Sequence, residues 1–311
     1  LLVSWPVFAK TFPTATAQTA TAQTAKAADQ VKVADASLAG KHIDVAASSL
    51  GGKTLPVRIL LPRNYESSKV RYPVLYLLHG LTGNEDNWVS KTKLAEYASN
   101  YRLIIVMPGV GNSWYANSFT DKQARYEDVI VKDLIQYIDQ NYRTDARREA
   151  RAIAGLSMGG LGAVKFGLAY PELFAFAAGF SGAFNVPRIT ILPAGVEITP
   201  TIQNIINVYG PPNSDVHKVN DVHLLVERKV QSAQLTAGNG NAMFPYLYLA
   251  CGESDPQVTV MPGNPQFVEV LRKNKVPYEY HERPGVHDWK FWDAEIRFML
   301  ERLNDFVPIK K

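Results

Sequence analysis

The chain has 311 residues, of which 46% are hydrophobic and 20% are charged, and its formal net charge at pH 7 is +4. This composition is that of a globular protein with a sizeable core, in one large domain or two smaller ones. The densest basic stretch, 142–151, is interrupted by Asp145 and Glu149, which argues against a nucleic-acid partner. The single cysteine excludes an intrachain disulfide and a cysteine-rich zinc site, and no interior segment reaches the roughly 18 consecutive apolar residues of a membrane span.

The first 34 residues are predicted to precede the folded domain. The opening stretch LLVSWPVFAK is similar to the end of a signal peptide's apolar region, with Ala9 at a small-residue cleavage position, and it fits a stretch without a targeting role equally well. Residues 14–30 repeat TATAQ and carry no large apolar side chain, so burial cannot offset the entropy lost on ordering them. We therefore predict a leader and flexible linker over 1–34 and a folded domain over 35–311. We expect a secreted or periplasmic protein, with a cytoplasmic one as the alternative.

The folded part begins with two strands, predicted over 42–50 and 53–62 on either side of a Gly-Gly turn. Two short apolar runs that end in glycine follow at 72–80 and 103–109. Runs of this kind are typical of strands buried on both faces of a parallel sheet.

A helix is predicted over 124–142, where apolar residues recur at helical spacing (Ile130, Leu134, Ile138). The later elements are a strand, a helix, two strands, a helix, a strand and a helix, in the order 150–155, 158–170, 174–182, 245–252, 265–275, 278–283 and 288–307. Such alternation predicts the α/β class, with a mostly parallel central sheet and helices on both faces. The exception is 183–244, which is rich in Pro, Asn and Gly and only weakly helical in pattern. We predict that it is a cap-like insertion, or lid, over the carboxyl edge of the sheet.

A Gly-x-Ser-x-Gly pattern stands between a predicted strand and a predicted helix, with Ser157 between Gly155 and Gly159. This is the pattern of a nucleophile elbow, a turn so sharp that the serine is strained and its neighbours must be small. The turn would also direct the backbone N–H of Met158 toward developing negative charge. A chance glycine–serine turn is the alternative, and the position between strand and helix argues against it.

A serine hydroxyl needs a base, and the base needs an orienting carboxylate. Five of the six histidines lie in predicted strands, before the serine or in the insertion: His42, His79, His217, His223 and His281. His287 instead lies between the last strand and the last helix, where the base is expected; a helix cap or surface histidine is the alternative. The acid should follow the preceding strand, which offers Asp255 and Glu253. Asp255 is the preferred candidate and Glu253 the reserve, and a solvated loop carboxylate is the alternative for both.

Acyl transfer also needs a second donor for the oxyanion, beside the N–H of Met158. The segment LLHGLTGNEDNW (77–88) leaves a core strand through His79 and Gly80, so the backbone N–H of Leu81 would be the second donor to the oxyanion. For His79 itself we favour a structural role, bonded to loop backbone, over a catalytic one.

With these segments assembled, the chain resembles the esterase D / feruloyl esterase group of α/β-hydrolases, which includes S-formylglutathione hydrolases and mycolyltransferases. The motifs occur in the family's order over most of 54–303: LLHGLTGNEDNW, MPGVGNSWYAN, YEDVIVKDLIQYIDQNYRT, AIAGLSMGGLGAVKFGLAYPELFAFAAGFSG, CGESDP and GVHDWKFW. The resemblance implies an α/β-hydrolase fold, and the same nucleophile, acid, base and oxyanion donors as above.

Two features depart from the S-formylglutathione hydrolases, because their distinct Trp-Gly segment and additional cysteines are not visible here. The segment GNSWY resembles a loop of secreted carbohydrate-ester esterases, which implies that Trp114 and Tyr115 flank the substrate; a core aromatic pair is an equal alternative. Trp289 and Trp292 are expected to pack the last helix.

The sequence thus predicts a serine carboxylesterase that needs no metal or organic cofactor. Its substrate would be a small-molecule or carbohydrate-linked ester, with an acetyl, other short-chain acyl or feruloyl group. An acyltransferase to a sugar alcohol and a catalytically inactive binding module are the alternatives. The oligomeric state is left open.

Overall fold

The computed structural model describes residues 40–190, 197–236, 243–259 and 262–310. The predicted leader and linker over 1–34 lies outside the described residues, as do two parts of the predicted insertion, 191–196 and 237–242. Within the described part of the chain, no helix is both long and apolar enough to cross a membrane.

The core of the fold is an eight-stranded sheet with the strand order β1-β2-β4-β3-β5-β6-β7-β8. The strands are β1 Lys41–Ala46, β2 Thr54–Leu60, β3 Val74–Leu78, β4 Ile104–Pro108, β5 Arg151–Leu156, β6 Phe176–Phe180, β7 Tyr246–Gly252 and β8 Tyr278–Arg283. β2 is antiparallel to both β1 and β4, and all other pairs are parallel. The predicted fold class is therefore confirmed, and the carboxyl ends of six parallel strands, β3 to β8, meet at one edge.

Helices cover both faces of this sheet. They are α1 Asn87–Lys91, α2 Leu94–Ala98, α3 Tyr126–Asp128, α4 Ile135–Asn141, α5 Met158–Ala169, α6 Pro200–Tyr209, α7 Asp215–Asn220, α8 Val222–Thr236, α9 Pro256–Thr259, α10 Gly263–Lys273 and α11 Trp289–Leu303. Alternate residues of a strand face opposite cores. In β3, Leu75 and Leu77 pack with residues of α2 and α11, whereas Tyr76 and Leu78 pack with residues of α5 and α10. Burial on both faces explains why the central strands are continuous apolar runs.

Two predicted elements differ in detail. The first strand ends at Ala46, because Ser48–Leu50 forms a 3₁₀ turn before the chain reverses. The helix predicted over 124–142 is present, but its middle segment, Val129–Leu134, is π-helical and joins α3 to α4.

The insertion is more helical than its composition indicates. α6 begins after Thr199, whose hydroxyl accepts from the N–H of Ile202, with Pro200 at the first helical position. Ser214 caps α7 in the same way. α8 packs against α5 and α10, so this part of the insertion belongs to the helical layer on one face of the sheet. A lid over the carboxyl edge stays a prediction.

Candidate active site

Ser157 lies at the tip of a sharp turn between β5 and α5. Its backbone has φ 52° and ψ −115°, which is strained for any residue with a side chain. Close packing leaves no room for side chains on either side of it. A Cβ at Gly159 would lie 2.5 Å from the carbonyl oxygens of Leu78 and His79, and a Cβ at Gly155 would lie 2.5 Å from the carbonyl carbon of Gly159. The glycines therefore allow the crossing of strand and helix that raises the serine.

The three side chains predicted to form the catalytic group lie together at the carboxyl edge of the sheet. His287 Nε2 is 3.0 Å from Ser157 Oγ, and His287 Nδ1 is 2.9 Å from Asp255 Oδ2. With Nδ1–H donating to the carboxylate, Nε2 is free to accept the hydroxyl proton of the serine. Asp255 is fully buried, whereas the side chain of His287 is 29% exposed. Glu253, the reserve acid, is exposed in the same loop, and His287 bonds to Asp255 in its place.

Asp255 is held in its ionised form by its hydrogen-bond donors. Burial raises the pKa of this carboxyl, but hydrogen bonds from His287, the backbone N–H of Gln257 and the Ser181 side chain lower it below its ordinary value. The Gln257 N–H donates to Oδ1 at 2.7 Å, on the oxygen that His287 does not use. The carboxylate is therefore fixed in orientation as well as in charge.

Ser181 and Trp292 extend this group, and Ser181 is not among the site residues predicted from the sequence. The indole Nε1–H of Trp292 donates to Ser181 Oγ at 3.1 Å, and its ring meets the His287 ring edge-on at 5.0 Å. Ser181 follows β6, is fully buried and has φ 48°. The signal in the sequence was the Ser-Gly pair directly after the apolar run of β6. Trp292 also packs edge-on against Trp289, as expected for the last helix.

The two predicted oxyanion donors belong to Met158, the residue after the serine, and to Leu81, the residue after Gly80. A Cβ at Gly80 would lie 3.5 Å from Ser157 Cβ, so the segment that leaves β3 packs against the elbow. Met158 is the first residue of α5. Among the described residues, neither backbone N–H donates to a protein acceptor, so both are available to a substrate oxygen. Their role as oxyanion donors stays a prediction.

His79 has the structural environment favoured above. Its Nε2 accepts from the N–H of Val110 at 3.1 Å, and its Nδ1 is 2.7 Å from Gly80 O. Burial lowers the pKa of His79, which favours the neutral ring that this pair of bonds requires. Because both ring nitrogens bond to loop backbone, His79 links the segment after β3 to the segment after β4.

Trp114 and Tyr115 lie in the interior. Tyr115 is fully buried, and its hydroxyl donates to His79 O at 3.0 Å. Trp114 is 4% exposed, and its Nε1–H donates to Asn204 of α6 at 2.8 Å. Both residues have left-handed backbone angles, with φ of 53° and 54°. These contacts favour the core alternative over substrate contact for both rings.

A buried lysine anchors this strained turn. Lys165 of α5 donates to Tyr115 O at 2.6 Å, to Glu127 Oε2 at 2.8 Å and to Asn220 Oδ1 at 2.7 Å. Burial lowers the pKa of Lys165, and Glu127 opposes that effect. Three acceptors need three N–H donors, which only the ammonium form supplies. We therefore assign a charged lysine that ties α5 to the turn, to α3 and to α7.

One group of residues in the described part of the chain has metal-ligand chemistry: His42, Glu85 and Asp86. The Arg58 guanidinium contacts both His42 and Asp86 at 2.5 Å. Arg58 already pairs with the Asp86 carboxylate and occupies His42 Nε2, which makes this group a poor fit for a metal ion.

Comparison with known proteins agrees with this geometry. The model of the putative esterase family matches residues 48–303. An acetyl esterase of Caldicellulosiruptor saccharolyticus is 28% identical over 231 residues, which cover 74% of this chain and 82% of that protein. An esterase of Mycobacterium tuberculosis is 31% identical over 242 residues, covering 74% of this chain and 52% of that protein, so the chain spans about half the length of this relative.

Among solved structures, the substrate-bound fluorophosphonate-binding serine hydrolase F of Staphylococcus aureus is 26% identical, with a TM-score of 0.70. The match covers 85% of this chain and 98% of that one. The family and the α/β-hydrolase fold predicted from the motifs are thereby confirmed. The chain belongs to the putative esterase family of α/β-hydrolases and is a carboxylic ester hydrolase.

Proposed function

We propose that the chain is a serine carboxylesterase that cleaves esters of short acyl groups through an acyl-enzyme intermediate. The observation that carries the proposal is the continuous hydrogen-bond chain from Ser157 through His287 to buried Asp255. Similarity to an acetyl esterase supports a short acyl group. A serine hydroxyl is a weak nucleophile, and this arrangement supplies the base that activates it.

In the first half of the reaction, His287 Nε2 takes the hydroxyl proton as Ser157 Oγ attacks the ester carbonyl carbon. The carbonyl oxygen becomes an oxyanion, which the N–H groups of Leu81 and Met158 stabilise. The tetrahedral intermediate collapses, the C–O bond to the alcohol breaks, and His287 returns the proton to the leaving oxygen.

In the second half, water attacks the acyl-enzyme with His287 again as base, and the acid product leaves Ser157 free. The partial exposure of the His287 ring supports access by water. Asp255 keeps Nδ1 protonated throughout and stabilises the imidazolium, and it does not take the proton itself.

The test is Ser157→Ala, assayed with p-nitrophenyl acetate. We expect kcat to fall by about 10⁴ or more, with an unchanged unfolding transition. A fluorophosphonate probe should label the wild type and fail to label the variant. Ser254→Ala is the matched control, because this serine is exposed in the acid loop and should keep wild-type activity and labelling. Full activity of Ser157→Ala would exclude the proposal, and appearance of a new ester with an added sugar acceptor would indicate acyl transfer in place of hydrolysis.

A further inference from the structure

The backbone of the nucleophile bonds on both sides to one short segment, 180–183, at the end of β6. The N–H of Ser157 donates to Phe180 O at 2.8 Å, and the N–H of Ala183 donates to Ser157 O at 3.1 Å. The segment thus contacts both backbone polar groups of the residue whose hydroxyl attacks. Its position therefore sets the position of that hydroxyl.

The same segment also contacts the acid. The side chain of Ser181, which lies within it, donates a hydrogen bond to the Asp255 carboxylate. The N–H of Ser181 donates to Ala250 O of β7 at 2.7 Å, so the segment is tied to the strand that the acid follows. A displacement of 180–183 would therefore change the hydrogen-bond geometry at both ends of the catalytic group.

Asn264, the second residue of α10, bonds to the remaining residue of this segment. It is fully buried, and its Nδ2 donates to Gly182 O at 2.8 Å. α10 packs closely on the chain just beyond, because a Cβ at Gly263 would lie 3.2 Å from the backbone nitrogen of Asn185. Asn264 lies nine residues after Asp255, so its bond links the acid's part of the chain back to the nucleophile's.

The stability of the fold does not account for an amide at position 264. Among the described residues, Asn264 Oδ1 is buried without a hydrogen-bond partner, which costs stability and offsets the bond made by Nδ2. Gly182 O also accepts from the N–H of Phe184 at 2.9 Å, so it would keep a donor without the asparagine. Asparagine is moreover a poor helix former. An apolar side chain of the same shape would therefore suit the fold about as well.

We infer that Asn264 is a positioning residue for the reaction. Its bond to Gly182 O holds the segment 180–183, and this segment holds the Ser157 hydroxyl and the Asp255 carboxylate in their reacting arrangement. The inference rests on the proposed esterase function and adds to it a residue that is too deeply buried to reach the substrate. Its removal should therefore lower kcat and leave KM unchanged.

The test is Asn264→Leu, which keeps the branched shape and removes both the donor and the unpartnered oxygen. We expect kcat for p-nitrophenyl acetate to fall by about five- to tenfold, with KM within about twofold of the wild type. The rate of fluorophosphonate labelling should fall by a similar factor, because it reports attack by Ser157 alone. Asn274→Leu is the matched control: it removes an amide of the same helix, bonded to Val270 O at 2.9 Å, and should change neither rate by more than about twofold.

Further measurements separate positioning from a role in folding. Rates are referred to the enzyme that the fluorophosphonate labels at completion, so unfolded protein does not count. Asn264→Ala, which cannot overpack the site, should show the same loss of kcat, and Asn264→Leu should unfold in urea at a midpoint no lower than that of Asn274→Leu.

Three results would overturn the inference while Ser157-dependent hydrolysis still supports the esterase. They are an unchanged kcat in the Asn264 variants, an equal loss in Asn274→Leu, and a raised KM at unchanged kcat. Hydrolysis that persists in Ser157→Ala would instead contradict the proposed function.

Discussion

Asn in place of Asp255 would keep the size of this side chain and change one oxygen into an NH₂ group. In the wild type, Oδ2 accepts from His287 Nδ1 and Oδ1 accepts from the N–H of Gln257. If the NH₂ group faces His287, Nδ1 must accept, the ring proton moves to Nε2, and Nε2 can no longer take the proton of Ser157. If it faces Gln257 instead, two N–H groups meet in a buried site. Neither orientation preserves the wild-type hydrogen bonds.

The expected loss follows from the tautomer. Fixing the imidazole in the wrong tautomer lowers kcat by about 10⁴ in serine hydrolases with this arrangement. That factor corresponds to about 5.5 kcal/mol of transition-state stabilisation. KM should change little, because Asp255 is fully buried and does not reach the substrate.

The assay is steady-state hydrolysis of p-nitrophenyl acetate, with urea unfolding to confirm that Asp255→Asn is folded. Glu253→Gln is the matched control, since Glu253 is exposed and only two residues away. It should keep kcat within about twofold of the wild type, as surface changes usually do. If Asp255→Asn retains more than about a tenth of wild-type kcat, or if Glu253→Gln shows the large loss, the assignment of the acid is wrong.

Two further substitutions test the residues that position the site, Lys165 and Ser181. Lys165→Met should destabilise the fold by about 3–5 kcal/mol in urea unfolding, because it leaves the Glu127 carboxylate without its buried cation. Lys132→Met removes an exposed ammonium whose partner, Asp128, keeps its ion pair with Arg125, so this control should cost below about 1 kcal/mol, and equal costs would refute the anchor. Ser181→Ala should lower kcat about tenfold at unchanged KM, since one hydrogen bond to the ionised acid is lost, and unchanged kcat would rule out a positioning role. The folded-state pKa of Asp255 lies below its ordinary value of 3.8, so ionisation of this carboxyl adds to the free energy of unfolding above pH 3.8, and this contribution is lost as the pH falls through the folded pKa. Ser181→Ala should raise the folded pKa, which makes the contribution smaller and moves its complete loss to a higher pH. Urea unfolding between about pH 2 and 5 measures both effects.

The catalytic candidates could be predicted because each sits at a position that local sequence fixes. Ser157 is defined by glycines two residues away on either side, and His287 by its place between the last strand and the last helix. The choice between Asp255 and Glu253 could only be a preference, because both lie in one loop after β7. Their difference in burial arises from the loop's packing against the base, 32 residues further along the chain.

The parts of the site that could not be predicted from the sequence depend on contacts between distant segments. Ser181 and Trp292 are 111 residues apart, and neither carries a local pattern that pairs them. The helices of the insertion were missed because Pro, Asn and Gly lower helix propensity over the whole segment. Their start signals, Thr199 before Pro200 and Ser214 before α7, were nevertheless present in the sequence.

Backbone strain is concentrated where the chemistry is proposed. Among the described residues, eight other than glycine have positive φ, and five of them follow β3, β4, β5 and β6, which are neighbours in the sheet: Thr82, Trp114, Tyr115, Ser157 and Ser181. Each such residue costs about 1–3 kcal/mol and persists only when its surroundings hold it.

The hydrogen bonds of these residues identify what holds them. The N–H of Ser157 donates to Phe180 O and that of Ser181 to Ala250 O, so each strained turn is held by an adjacent strand. The N–H of Thr82 donates to Asn112 Oδ1, in the segment that follows β4. Glycine at Thr82 would relieve the strain and keep this N–H, yet it would free the turn that carries the proposed oxyanion donor. We therefore expect stability and activity to be opposed at this edge, because the backbone angles that cost stability are the ones that would direct the hydroxyl and the proposed amide donors toward an ester.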